Sequence, residues 1–128
     1  MIQANPESYI LIVEDSIDLR EIYKECLIYA GFTVKVASDG LEALNLINSL
    51  NNLPGVILLD LMMPVMDGWQ FLKEIEKDTN LQNIPILVCS ALADGLPVGY
   101  RSLGKPVSQK TLISAVAEFA SSSKKNGK

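Results

Sequence analysis

The chain has 128 residues, with 11 basic and 15 acidic side chains, two cysteines and no histidine. Lacking an imidazole, it cannot build a Ser-His-Asp or Cys-His nucleophile, a histidine-ligated zinc or haem site, or a phosphohistidine of its own. Its length suits one domain with a real core, and 48% hydrophobic and 20% charged residues describe an ordinary globular protein.

Three of the last five residues are lysine, so residues 1–120 hold 8 basic against 15 acidic groups, a net of −7. A body of that sign argues against nucleic-acid binding by this domain. It suits cations or basic partner surfaces, although acidity often serves solubility alone. Cys26 and Cys89 have no CxxC spacing and sit in apolar patterns, which points to small buried thiols. The opening MIQANPESY has no signal-peptide pattern and no stretch reaches 18 apolar residues, so neither export nor membrane insertion is expected and the cytoplasm is the default compartment.

Residues 1–7 read as an extension before the domain. Tyr9 to Val13 is a short apolar run that ends in Glu14 and Asp15, which predicts a buried strand. Leu19, Ile22, Tyr23, Cys26, Leu27 and Ala30 repeat at helical spacing until Gly31. Thr33 to Ala37 predicts a second strand. Asp39 and Glu42 form a capping-box pattern before a helix with Ala43, Leu46, Ile47 and Leu50 on one face. Asn51, Asn52, Pro54 and Gly55 break the chain before a third strand, Val56 to Leu59, which ends in Asp60. The loop LMMPVMDG leads to a helix carrying Trp69, Leu72, Ile75 and Glu76, with Asp67 as its cap, and Ile84 to Cys89 predicts a fourth strand ending at Ser90.

Beyond Ser90 the residues ALADGLPVG cannot form a full helix, because Gly95, Pro97 and Gly99 interrupt it. Tyr100 to Leu103 predicts a weak fifth strand before Gly104, Lys105 and Pro106. Ser108 caps a last helix with Leu112, Ala115, Val116 and Phe119 on one face, and residues 122–128 read as a disordered tail.

Strands alternating with helices imply an α/β fold, a doubly wound parallel sheet of five strands with helices on both faces. Ligands of such sheets bind outside the carboxyl ends of the strands. Glu14, Asp15, Asp60, Ser90 and Lys105 all fall at those ends. Each alone has an ordinary explanation: Asp15 or Ser16 as a helix cap, Ser90 as an uninformative serine, Lys105 as a surface lysine. Together they describe a site. Carboxylates packed together repel one another, and a divalent cation with oxygen ligands, Mg²⁺, relieves this. Lys105 suits a phosphoryl oxygen and Ser90 offers a hydroxyl donor. With charge so neutralised, Asp60 can attack phosphorus.

These residues resemble the receiver domains of two-component response regulators. The likeness covers about residues 8–121 and rests on Glu14-Asp15, on the run Asp60-Leu61-Met62-Met63-Pro64-Val65-Met66-Asp67-Gly68, on Ser90-Ala91 and on Lys105-Pro106. The resemblance implies a flavodoxin-like sheet of order 2-1-3-4-5. It makes Asp60 the phosphoacceptor, served by a histidine kinase or histidine phosphotransfer protein. Glu14, Asp15 and Asp60, with the Met62 backbone carbonyl, would hold Mg²⁺. Ser90 would be the switch hydroxyl, Lys105 the phosphate-contacting lysine, and Lys105–Pro106 a cis bond. Such a chain is no enzyme beyond its own phosphorylation and dephosphorylation, and it signals to an unidentified protein output partner.

The chain departs from the family pattern in one region. Ser90 and Lys105 are 15 positions apart, closer than in most of the family, and the shortfall lies where the family has its fourth helix. That helix is expected to be reduced or absent. Ser102 occupies the position of the usual switch aromatic, and Tyr100, two residues earlier and on the same strand face, is the available substitute. These departures motivate an alternative, a phosphorylation-independent interaction module. A phosphatase of related fold would need a second acid where Met62 stands, and a nucleotide site would need a glycine-rich loop after the first strand.

Overall fold

A computed structural model describes residues 8–126. It holds β1 (Ile10–Val13), α1 (Ile17–Tyr29), β2 (Val34–Ala37), α2 (Gly40–Ser49), β3 (Val56–Leu59), α3 (Gly68–Lys77), β4 (Ile86–Ser90), β5 (Arg101–Gly104) and α4 (Gln109–Asn126). The five strands form one parallel sheet in the order β2-β1-β3-β4-β5, as the pattern predicts.

The apolar runs make this sheet because a parallel strand is covered on both faces. In β1, Leu11 and Val13 point toward α2 and α3, while Ile10 and Ile12 point toward α1 and α4. β3 divides likewise, with Ile57 and Leu59 on the first side and Val56 and Leu58 on the second. Ala43, Ile47, Phe71, Leu72 and Ile75 close one core, and Tyr23, Leu27, Leu112, Ala115 and Val116 close the other. Each of the leucine, isoleucine, valine and phenylalanine side chains among them contributes about 1.5–3 kcal/mol of transfer free energy. The in-register pairing of Val13 with Leu59 and Ala37 brings the β1 and β3 carboxyl ends level. The acids that follow them are thereby placed side by side.

Caps fix where the helices begin. The Ser16 hydroxyl accepts from the Leu19 amide at 3.3 Å, so Ser16 and not Asp15 caps α1. Asp67 and Gln70 form a reciprocal capping box on α3. Asp39 accepts from the Glu42 amide at 2.8 Å, but the Glu42 carboxylate reaches past Asp39 to the amide and hydroxyl of Ser38. The expected box on α2 is therefore only half formed.

Several boundaries differ from the sequence reading. β1 starts at Ile10, β2 at Val34, and β5 is shifted one residue to Arg101–Gly104. β4 starts at Ile86 instead of Ile84, since Pro85 has no amide to give the ladder, and it runs on to include Ser90. α4 continues to Asn126, past the expected domain end at residue 121. Residues 122–126 are thus helical where a disordered tail was expected, because no glycine or proline stops the helix before Gly127. The predicted extension, residues 1–7, and residues 127–128 lie outside the described part.

No helix lies between β4 and β5, so the expected loss of the fourth helix holds. Residues 91–99 form bends and a turn, with Gly95 at φ 74° and Gly99 at φ 89°. Among the described residues, no helix is long and apolar enough to cross a membrane.

Candidate functional site

Every site residue predicted from the strand ends sits where a strand stops. Glu14 follows β1, with its amide bonded to the Ala37 carbonyl at 3.0 Å. Its carboxylate accepts from the Ser16 amide at 3.1 Å, and its carbonyl accepts from Arg20 Nη1 at 3.0 Å. Asp60 follows β3, with its amide bonded to the Val13 carbonyl at 2.9 Å. Glu14 and Asp60 are buried and Asp15 is exposed, yet carboxylate oxygens of all three lie within 4.8 Å of one another.

Lys105 stands between two of these acids. Its Nζ donates to Glu14 Oε1 at 2.8 Å and to Asp60 Oδ1 at 3.2 Å. Its amide donates to the Ser90 carbonyl at 2.9 Å, and the Lys105–Pro106 bond is cis, as expected. Burial and the charge of Glu14 push the Asp60 carboxyl up from 3.8 to about 6, against the downward pull of Lys105 and the Met62 amide. Burial alone would lower Lys105. The Glu14 hydrogen bond and the Asp60 charge outweigh it, so the ammonium is held above its ordinary value.

Ser90 is 2% exposed at the end of β4, and its hydroxyl accepts from the Leu92 amide at 3.0 Å. Ser102 lies on β5 with a buried hydroxyl that has no hydrogen-bond partner. Tyr100 immediately precedes β5. It packs against the α2–α3 core, and its hydroxyl donates to Glu76 Oε2 on α3 at 2.6 Å. No sequence signal links Tyr100 to Glu76, which is 24 positions away.

The loop between Asp60 and α3 is pinned at several points. The Gly68 amide donates to the Leu61 carbonyl at 2.9 Å, and a Cβ at Gly68 would lie 2.7 Å from the Asp60 carbonyl. The Met66 amide donates to the Pro64 carbonyl at 2.8 Å around Val65, a γ-turn with φ 68°. The Met66 carbonyl in turn accepts from the Gly40 amide at the start of α2. Of the loop methionines, Met63 is buried and Met66 packs on the core, so only Met62, 61% exposed, offers contact surface. A β-branched residue in the left-handed region is strained. Val65→Asn is expected to raise stability by about 1 kcal/mol, read from urea unfolding. No gain would mean that the turn holds Val65 without strain.

The chain matches the response regulator receiver domain family over residues 10–117. The protein belongs to that family. As a receiver domain it is similar to a probable transcriptional regulator, ycf27, of Guillardia theta, with 40% identity over 80% of this chain and 41% of the relative. It is also similar to a CpxR homolog of Haemophilus influenzae, a transcriptional regulatory protein, with 36% identity over 85% of this chain and 48% of the relative. The receiver thus spans less than half the length of these curated relatives. Among solved structures, the receiver domain of a signal transduction histidine kinase from Syntrophus aciditrophicus superposes with a TM-score of 0.81 at 30% identity, covering 90% of this chain and 91% of that one. The receiver domain of the Francisella response regulator 1452 gives 0.79 at 34% identity, covering 91% and 98%.

Receiver domains typically bind Mg²⁺ at an acidic pocket, and the donors here fit that ion. They are hard carboxylate oxygens, two buried and one exposed to bulk water, with a repulsion that one ammonium only partly offsets.

Proposed function

We propose that this receiver accepts a phosphoryl group on Asp60 from the phosphohistidine of a histidine kinase or phosphotransfer protein and signals by protein contact. The observation that carries the reading is the buried Asp60 carboxylate, 6% exposed, held by Lys105 and set among Glu14 and Asp15. An Asp60 oxygen attacks phosphorus, the P–N bond breaks, and the electron pair returns to the partner's imidazole, which takes up a proton. Glu14, Asp15, Asp60 and the Met62 carbonyl are the groups that would hold Mg²⁺, which when bound neutralises phosphoryl oxygens. Lys105 contacts a phosphoryl oxygen from the position it already occupies, and the Ser90 hydroxyl donates to another. In this reading the catalysis the chain performs is that of its own phosphorylation and dephosphorylation. Nothing in this reading calls for nucleic acid or membrane insertion by this domain, and a cytoplasmic location fits it.

Acetyl phosphate with Mg²⁺ is expected to add one phosphoryl group, read by intact mass, and Asp60→Asn is expected to abolish the addition. An unmodified wild-type chain under those conditions would sink the reading. The missing helix between β4 and β5 favours a second reading, an interaction module indifferent to phosphate.

A further inference from the structure

The dipeptide Asp-Gly occurs three times, at Asp39-Gly40, Asp67-Gly68 and Asp94-Gly95. It has a chemistry of its own. The glycine amide nitrogen attacks the aspartyl side-chain carbon, a C–N bond forms, and the carboxyl hydroxyl leaves as water with the amide proton. The product is a cyclic succinimide. Water then adds to one ring carbonyl and breaks one of the two C–N bonds, which either restores aspartate or leaves isoaspartate, whose backbone runs through the former side chain. Glycine permits the attack because it sets no Cβ beside the nitrogen. Two local conditions decide whether a site reacts. The nitrogen must be free, and the aspartate must turn about its Cα–C bond to bring that nitrogen over its side chain.

The fold restrains two of the three. Asp39 caps α2, accepting from the Glu42 amide at 2.8 Å, and the Gly40 amide donates to the Met66 carbonyl at 2.9 Å. Asp67 caps α3, accepting from the Gln70 amide at 2.9 Å, and the Gly68 amide donates to the Leu61 carbonyl at 2.9 Å. The caps hold these aspartates at ψ 177° and 179°, and a turn about that bond would break cap and backbone bond together. Asp94 and Gly95 are both exposed, and among the described residues neither the Asp94 carboxylate nor the Gly95 amide has a hydrogen-bond partner. Gly95 lies at φ 74°, with nothing within 4 Å of where a Cβ would stand. A helix between β4 and β5 would draw such an amide into its ladder, whereas the loop that replaces it leaves the amide to water.

We propose that Asp94-Gly95 is a self-modification site, which converts to isoaspartate through a succinimide while Asp39 and Asp67 stay intact. The conversion adds one backbone atom to the connection between Ser90 and Lys105 and leaves an α-carboxylate as the side group. That group is the substrate of carboxyl methyltransferases that act on isoaspartate, so the aged chain gains a class of partner that the fresh chain lacks. The proposal does not depend on the phosphoacceptor reading of Asp60.

The test is prolonged warm incubation of the full chain near neutral pH, followed by peptide mapping. An isoaspartyl peptide separates from its aspartyl form at unchanged mass, and it resists an endoprotease that cuts before aspartate. Isomer at residue 94 is expected to accumulate at least about tenfold faster than at 39 or 67, because those sites must first open a cap and a backbone hydrogen bond. In urea the caps are gone, and the three rates should converge to within about twofold. The residue-94 peptide of the aged chain should take a methyl group from S-adenosylmethionine under an isoaspartyl carboxyl methyltransferase. Asp94→Glu, which keeps the charge but lengthens the side chain past easy ring closure, should abolish both signals at that peptide. Deamidation at Asn126-Gly127 changes the mass and is thereby told apart. No isomer at 94 in the folded chain, or equal accumulation at all three sites, would overturn the proposal. The same tenfold ranking in urea would assign the selectivity to neighbouring residues instead of the fold and overturn it as well.

Discussion

Asp60→Asn is expected to make the metal-free protein more stable at pH 7 and to leave it unchanged at pH 4. The Asp60 carboxyl titrates at about 6 in the folded chain, against 3.8 as its ordinary value, chiefly through burial and then through Glu14. A raised acid favours the folded state fully below pH 3.8, and that advantage is lost as pH climbs through 6. At neutral pH the folded chain therefore holds a carboxylate it would rather protonate. The displacement corresponds to a penalty of up to about 3 kcal/mol. Asparagine keeps the oxygen that accepts from Lys105 and removes the charge, so the penalty goes. Urea unfolding of both proteins in EDTA from pH 4 to 8 checks this. Curves that stay parallel across the range would show that Lys105 already neutralises the site. A gain confined to pH above about 5 would show stability given up for a reactive carboxylate.

Much of this site was legible in the sequence, for a physical reason. In a parallel sheet the carboxyl end of every strand faces one edge, so acids after Val13 and Leu59 must meet whatever the loops do. The apolar runs that mark the strands therefore also locate the chemistry. What the sequence withheld depends on side-chain reach across the fold. Tyr100 could be placed on the face of Ser102 by strand parity, but its hydrogen bond to Glu76 depends on how closely α3 approaches β5. The Glu42 carboxylate bonding to Ser38 instead of Asp39 is a rotamer choice that no motif encodes. Helix ends were misplaced where the cue was weak. Asp67 and Gln70 announce the start of α3, whereas nothing in SSSKKN announces the end of α4. The γ-turn at Val65 was hidden because a β-branched residue argues against the conformation it adopts.

Lys105→Met is expected to destabilise the metal-free protein at pH 7 by about 3–5 kcal/mol, the usual cost of stripping one partner from a buried ion pair. The ammonium is the cation between Glu14 and Asp60, at 2.8 and 3.2 Å. Methionine fills the space of the side-chain stem and leaves two buried carboxylates facing each other. Asp60 should then titrate higher still, since the loss of the Lys105 charge and hydrogen bond leaves the Met62 amide to draw it down. A proton can take the place of the ammonium, so the loss should shrink as pH falls toward 5. Mg²⁺ can take its place as well, and millimolar Mg²⁺ should stabilise the variant more than the wild type. Urea unfolding at pH 5 and 7, each with EDTA or with Mg²⁺, separates these effects. A loss equal in all four conditions would assign Lys105 to packing, through its apolar stem. A loss confined to pH 7 without metal would make it the resting counter-charge of the acid cluster. In that case one ammonium keeps the resting site folded, and under the proposed phosphoacceptor role of Asp60 the same group is the one beside the phosphoryl oxygen.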